Sequence, residues 1–245
     1  MSRRLIWFSL VFSLALLGPA ANAVAQYDRV PVRLRNIVAG DASFAEFQKK
    51  LRQAAEKRDL KAIENLVATT FFWERDFGGG YNRAATPFQN LVNAMQLDDS
   101  KLRRSARGIG WRKLQRIAGS RHFAPSDADK PVTEAVCGPA PPGYQSNAIK
   151  NDDLLFWGYV FDRAPVRAAA SPQSKIIRQV ENEAIKVETW ATRVPGRPKF
   201  VKVELPDGKS GYIAEGQIQP FLDEQLCFRK LGNGWRIVGY IGGGD

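Results

Sequence analysis

Apolar positions recur every three or four residues between Ser43 and Met95, and every second residue after Leu155. The first spacing is one face of a helix and the second is one face of a strand. Phe44, Phe47, Leu51 and Ala54 or Ala55 predict a helix, opened by Ser43 with Glu46 three residues on as a capping box. Arg58-Asp59 ends it, and Asp59 can cap a second helix with Leu60, Ile63, Leu66 and Val67 on its apolar side. The two stripes of such an αα-hairpin must pack against something else. Thr69 to Trp73 is β-branched and aromatic, which predicts a short extended segment. Gly78-Gly79-Gly80 reads as a turn, and without a following Lys-Ser/Thr it is a poor phosphate loop. Thr86-Pro87 opens a third helix with proline at its first position. Phe88, Leu91, Val92 and Met95 line its buried side.

The later part of the chain predicts strands. Leu155 to Phe161 is densely aromatic, with Phe156, Trp157, Tyr159 and Phe161. Val166-Arg167 and Lys175-Ile176-Ile177 are short runs. Ile185, Val187 and Thr189 alternate with Lys186, Glu188 and Trp190, and Val201, Val203 and Leu205 alternate with Lys202 and Glu204. Pro206-Asp207-Gly208 is a hairpin turn, with Gly where positive φ costs little. Gly211-Tyr212-Ile213 begins its return strand. Gly232-Asn233-Gly234 joins a second hairpin, Cys227 to Leu231 with Trp235 to Ile241. Between the helical and β parts, Pro125, Pro131, Pro139, Pro141 and Pro142 cluster with Gly138 and Gly143, the composition of a linker. The expected organisation is therefore α+β. A mainly helical domain over 43–123 follows a lead-in over 24–42, then comes a linker over 124–150. A small β-barrel with an extra C-terminal hairpin fills 151–245.

The first residues predict export. Arg3 and Arg4 precede an apolar run, Leu5 to Leu17, that Gly18-Pro19 breaks. Ala21-Asn22-Ala23 gives the small-x-small pattern for cleavage after Ala23, with Ala25 as the second position. The run is shorter than the ~20 residues a spanning helix needs; an uncleaved anchor is the alternative. The expected location is periplasmic or extracellular. Cleavage leaves about 220 residues, enough for one large or two small cores. A hydrophobic fraction of 44% with 11% aromatics argues against disorder. Cys137 and Cys227 are the only cysteines. In an oxidising compartment an even count predicts one disulfide, which would staple the linker to the β domain. Two free buried thiols are the alternative. Two cysteines and one histidine do not make a usual zinc site, and no cofactor is expected.

Charge changes the picture in one stretch. The chain carries a formal net charge of +11, and loss of Arg3 and Arg4 leaves +9. Lys101 to His122 holds Lys101, Arg103, Arg104, Arg107, Arg112, Lys113, Arg116 and Arg121 and no acid, above a stripe of Trp111, Leu114, Ile117 and Ala118. Arg103, Arg104, Arg107, Arg112, Lys113 and Arg116 are candidates for binding a polyanion or an anionic membrane surface. A solvated helix face over an ordinary core stripe is the simpler reading. Export makes nucleic acid an unexpected physiological partner.

The run Ala164-Pro165-Val166-Arg167-Ala168-Ala169-Ala170-Ser171-Pro172, followed by Ile176-Ile177, resembles the start of a bacterial SH3-like domain. Phe200 to Ile213, through Asp207-Gly208 and Gly211-Tyr212-Ile213, resembles that family's closing hairpin. The resemblance covers about 60 of the 245 residues, Gly158 to Pro220. Phe200 and Tyr212 stand where the family usually has tryptophan, and the Asn before Val166 is missing. The helical part is similar only to exported proteins that pair it with such a domain. The resemblance implies non-catalytic binding of peptidoglycan, a peptide or an envelope protein. Aromatic rings lining grooves between the loops suit extended ligands. Tyr159, Arg167, Trp190, Phe200 and Tyr212 are the candidate ligand-binding residues, against a reading in which about half of the large aromatics of so small a barrel are core.

No catalytic set stands out. His122 has no partner pattern and reads as a surface residue. A disulfide would consume both thiols. Glu74 and Asp76, flanking Arg75, are the least poor carboxylate pair for a hydrolase. An enzyme is not expected.

Overall fold

The computed structural model describes residues 27–74, 81–125, 134–145, 147, 149, 151–190, 200–232 and 234–242. The expected export signal, its cleavage positions, the triple-glycine turn and Asp76 lie outside them.

The protein is α+β. In chain order the elements are β1 (Val30–Arg33), α1 (Ala42–Lys57), α2 (Leu60–Glu64), β2 (Val67–Glu74), α3 (Pro87–Met95) and α4 (Ile109–Ala118). Then come β3 (Ala124–Pro125), β4 (Val136–Gly138), β5 (Gly143–Tyr144), β6 (Trp157–Val160), β7 (Ala164–Arg167) and β8 (Ile176–Val180). The last are β9 (Glu183–Thr189), β10 (Phe200–Glu204), β11 (Ser210–Ala214), β12 (Gln219–Pro220), β13 (Gln225–Leu231) and β14 (Gly234–Ile241). Short 3₁₀ turns fill Asp99–Lys101, Arg104–Ala106, Asn151–Phe156 and Glu215–Gln217.

The helices follow their apolar spacing. Phe44, Phe47, Leu51, Ala54 and Ala55 are the buried face of α1. Its cap is Asp41 rather than Ser43: the Asp41 carboxylate accepts from the backbone N–H of both Ser43 and Phe44. Ser43 instead sits in the first turn, where its Oγ receives the Trp235 indole N–H at 3.1 Å. Asp59 caps α2 and Thr86 caps α3 through a capping box with Gln89.

Two sheets form, and each takes strands from a distant part of the chain. The first runs β12-β6-β9-β10-β11-β7-β8, a curled antiparallel half-barrel. β1 joins it at β9 (Val30 opposite Ala184) and carries β5 on its other pairing. Inside the curl lie Val160, Val166, Val180, Ile185, Val187, Val201, Val203 and Ile213. The second sheet runs β2-β14-β13-β4-β3. Its core faces α1, α3 and α4, where Phe44, Phe47, Phe123, Phe228 and Trp235 pack edge to face. The C-terminal hairpin β13–β14, expected to extend the barrel, is the centre of this second sheet: β14 lies parallel to β2 and β13 antiparallel to β4. The reason is burial. Leu226, Phe228, Ile237 and Tyr240 need an apolar partner, and the helices supply it.

The proline-rich segment read as a linker contributes β3, β4 and β5, all short; Pro125 sits in the edge strand β3, while β4, between β13 and β3, holds no proline. Cys137 and Cys227 form the expected disulfide, between directly paired residues of β4 and β13. The bridge therefore fastens the proline-rich segment to the C-terminal hairpin, not to the half-barrel. Close approach also shapes this sheet: a Cβ on Gly239 would lie 1.8 Å from the Phe72 ring, so only glycine lets β2 and β14 pack with Phe72 across them.

Among the described residues no helix is long and apolar enough to cross a membrane.

Candidate functional site

Three of the five candidate ligand-binding residues come together on the outer face of the half-barrel. Val201, Val203 and Ile213 point into its core. Strand alternation then turns Phe200, Lys202 and Tyr212 outward. Tyr212 stands opposite Lys202 on one side and Arg167 on the other. Phe200, two residues before Lys202, completes a half-buried patch of two rings and two cations. The patch is anchored at both ends. Arg167 Nη1 donates to the Ser174 carbonyl at 2.7 Å. Lys202 pairs with Glu188 at 2.5 Å, and the Ser210 hydroxyl donates to the same carboxylate. These bonds fix the two cations beside the rings, so they need little ordering on binding.

Tyr159 and Trp190 are elsewhere. Tyr159 is only 1% exposed, packed on Phe161 and Phe221, with its hydroxyl donating to Gln219 Oε1 at 3.0 Å. Burial, then the Asp223 charge, raises its pKa above the ordinary tyrosine value, with Arg116 opposing. It belongs to the seam between the halves and not to the sheet-face patch. Trp190 packs against the half-barrel core, and its indole N–H donates to the Leu155 carbonyl at 3.0 Å.

The basic stretch divides in two. It is not one amphipathic helix: Gly108, at φ 73°, ends the 3₁₀ turns and starts α4. Lys101 pairs with Asp98, Lys113 with Glu224, Arg116 with Asp223 and Arg121 with Asp162. Of the six candidates, Lys113 and Arg116 are thus tied to the two acids just before β13. Arg103, Arg104, Arg107 and Arg112 are exposed and have no carboxylate partner among the described residues. Arg58, which pairs with Asp99 at 3.4 Å, lies beside this patch; its guanidinium and that of Arg112 both come within 3.2 Å of the Cβ position of Gly108.

His122 is buried, contrary to its expected surface place. It is 4% exposed and stacks on Phe161 with ring centroids 3.9 Å apart. Burial, with the Arg121 charge adding and Asp162 opposing, pushes its pKa down to about 4. It lines a cleft of ≈ 480 Å³ between the end of α4 and the half-barrel, shared with Arg121, Tyr159, Asp162 and Gln219. Sequence reasoning missed this cleft because four separate stretches build it and none carries a motif. The one available signal was a lone histidine next to an unusually basic run. Glu74 ends β2, while Asp76 lies outside the described residues, so that carboxylate pair is not placed. Among the described residues no group of three or more His, Cys, Asp or Glu side chains could hold a metal ion.

No protein-family model, curated protein or solved structure matches this chain.

Proposed function

We propose that this chain is an exported, non-catalytic recognition protein of the cell envelope, and that its half-barrel is a bacterial SH3-like module. The observation that carries this reading is the Phe200–Lys202–Tyr212–Arg167 patch. Rings flanked by cations on a rigid sheet face offer contact area at low entropic cost and hydrogen-bond donors for peptide carbonyls and carboxylates. The ligand class is an extended peptide, most simply the peptide portion of peptidoglycan. The export reading is supported by the leader pattern over 1–23, and the Cys137–Cys227 bridge is consistent with an oxidising compartment. Cosedimentation with purified peptidoglycan tests the reading. The wild type should pellet and Tyr212→Ala should stay in solution; equal pelleting of both would sink it.

A second reading rests on Arg103, Arg104, Arg107 and Arg112. Four exposed guanidiniums without acids favour contact with an anionic membrane surface. Binding to phosphatidylglycerol vesicles, and its loss at high salt, tests that reading separately.

A further inference from the structure

We propose that the cleft between α4 and the half-barrel is a second binding site, and that its ligand is a small monocarboxylate. Its volume of ≈ 480 Å³ falls within the range of about 300–1,000 Å³ typical of small-molecule sites. Its walls come from both halves of the molecule, where ligand sites concentrate.

The polar groups in it are fixed, and they leave a surplus of donors. Tyr159 gives its hydroxyl proton to Gln219 Oε1, which turns the Gln219 NH₂ into a free donor. Asp223 holds Arg116 through both guanidinium nitrogens, with Nη2 to Oδ1 at 2.9 Å. Gln115 is spent on the Ala55 carbonyl. His122 Nδ1 is buried and has no hydrogen-bond partner in the protein. An unmet polar atom of this kind costs stability, and it marks the wall of this cleft as incompletely satisfied by the chain.

Charge selects the ligand. Asp223 neutralises Arg116. The partner of Arg121 is Asp162, at 2.6 Å, with side-chain exposures of 63% and 82%. A pair so exposed is weak and easily exchanged. Asp162 takes only the Nη2 donor of Arg121, and a ligand carboxylate entering the cleft replaces it with a bidentate pair on the same fork. The Arg121 guanidinium is then available to the ligand, while the displaced Asp162 carboxylate stays at the cleft wall and disfavours a second negative charge. That matches a single carboxylate and not a doubly charged phosphate. Phe161 and Pro139 offer the ligand body an apolar wall.

His122 is the only histidine of the chain, so its imidazole NMR signals report on this cleft alone. The probe is N-acetyl-alanyl-alanine, with its C-terminal amide and inorganic phosphate as comparisons, each to about 10 mM, ten times a millimolar Kd. The free acid should shift the imidazole signals saturably, and the amide and phosphate should not. Arg121→Gln should weaken binding about tenfold or more, whereas Asp162→Asn, which removes the internal competitor, should strengthen it several-fold. Tyr212→Ala should leave it unchanged, which separates this site from the sheet-face patch. No saturable shift, equal shifts with the amide or phosphate, or weaker binding in Asp162→Asn overturns the proposal.

Discussion

Cys137 and Cys227 sit directly opposite each other across β4 and β13, with Cα atoms 4.0 Å apart and both side chains buried. The bridge closes a 90-residue separation, and everything that builds the half-barrel from β5 to β12 lies within that loop. Cross-linking a loop of this length is worth about 4 kcal/mol in the chain-entropy model. Replacing both cysteines by alanine should lower the unfolding free energy by about that amount in urea titrations. A midpoint indistinguishable from the wild type would show that the bridge adds nothing.

Glu183 is a buried carboxylate at the half-barrel rim, held by Arg178 at 2.7 Å and Arg29 at 2.9 Å. Arg178 is mostly buried and Arg29 largely exposed, so the two pairs are unequal. Glu183→Gln leaves Arg178 without its counter-charge and should cost about 3 kcal/mol. Arg29→Ala should cost at most about 1 kcal/mol. The same urea titrations check both, and equal losses would contradict the burial argument.

The buried His122 makes stability depend on pH. Its folded pKa of about 4 lies below the unfolded value of 6.5. Between the two, the unfolded chain binds a proton that the folded chain refuses, so stability falls as pH drops from 6.5 toward 4. After allowance for solvent screening at the cleft mouth, the loss is about 2 kcal/mol. Unfolding curves across this window should show the slope in the wild type and a flatter one in His122→Gln. Parallel curves would place His122 in water.

Local order was readable from residue spacing, and long-range pairing was not. The α1 face, the helix start at Thr86-Pro87, the alternation of β9 and β10, the Asp207-Gly208 turn and the pairing of β13 with β14 all follow from neighbours within a few positions. The α1 cap did not, because Asp41 and Ser43 are both capping types two residues apart and the carboxylate reaches further. The placement of β13–β14 also did not, because a hairpin's turn says nothing about which sheet its apolar face will join. Proline content suggested a boundary where the structure has three short strands. At the site, the resemblance named Tyr159, Trp190, Phe200 and Tyr212 together as groove candidates. It could not tell that Tyr159, on a strand buried on both faces, closes the seam instead.

The arginine patch makes a separate forecast. Arg107→Gln with Arg112→Gln should reduce binding to phosphatidylglycerol vesicles several-fold. Lys113→Gln should not, since Glu224 already occupies that lysine. Flotation of each variant with the vesicles at low and high salt reads this out; equal loss in Lys113→Gln would make net charge the whole effect.

Recognition through the outer sheet face is tested most directly by affinity for soluble peptidoglycan fragments, measured by calorimetry on wild type, Tyr212→Ala and Phe200→Ala. Both rings are half-buried on a sheet whose core lies on its other side, so neither change should unfold the protein. The account predicts that Tyr212→Ala loses about tenfold or more in affinity, and Phe200→Ala a similar amount, with melting temperatures close to the wild type. Fragments bound equally well by all three proteins, or by none, would contradict it.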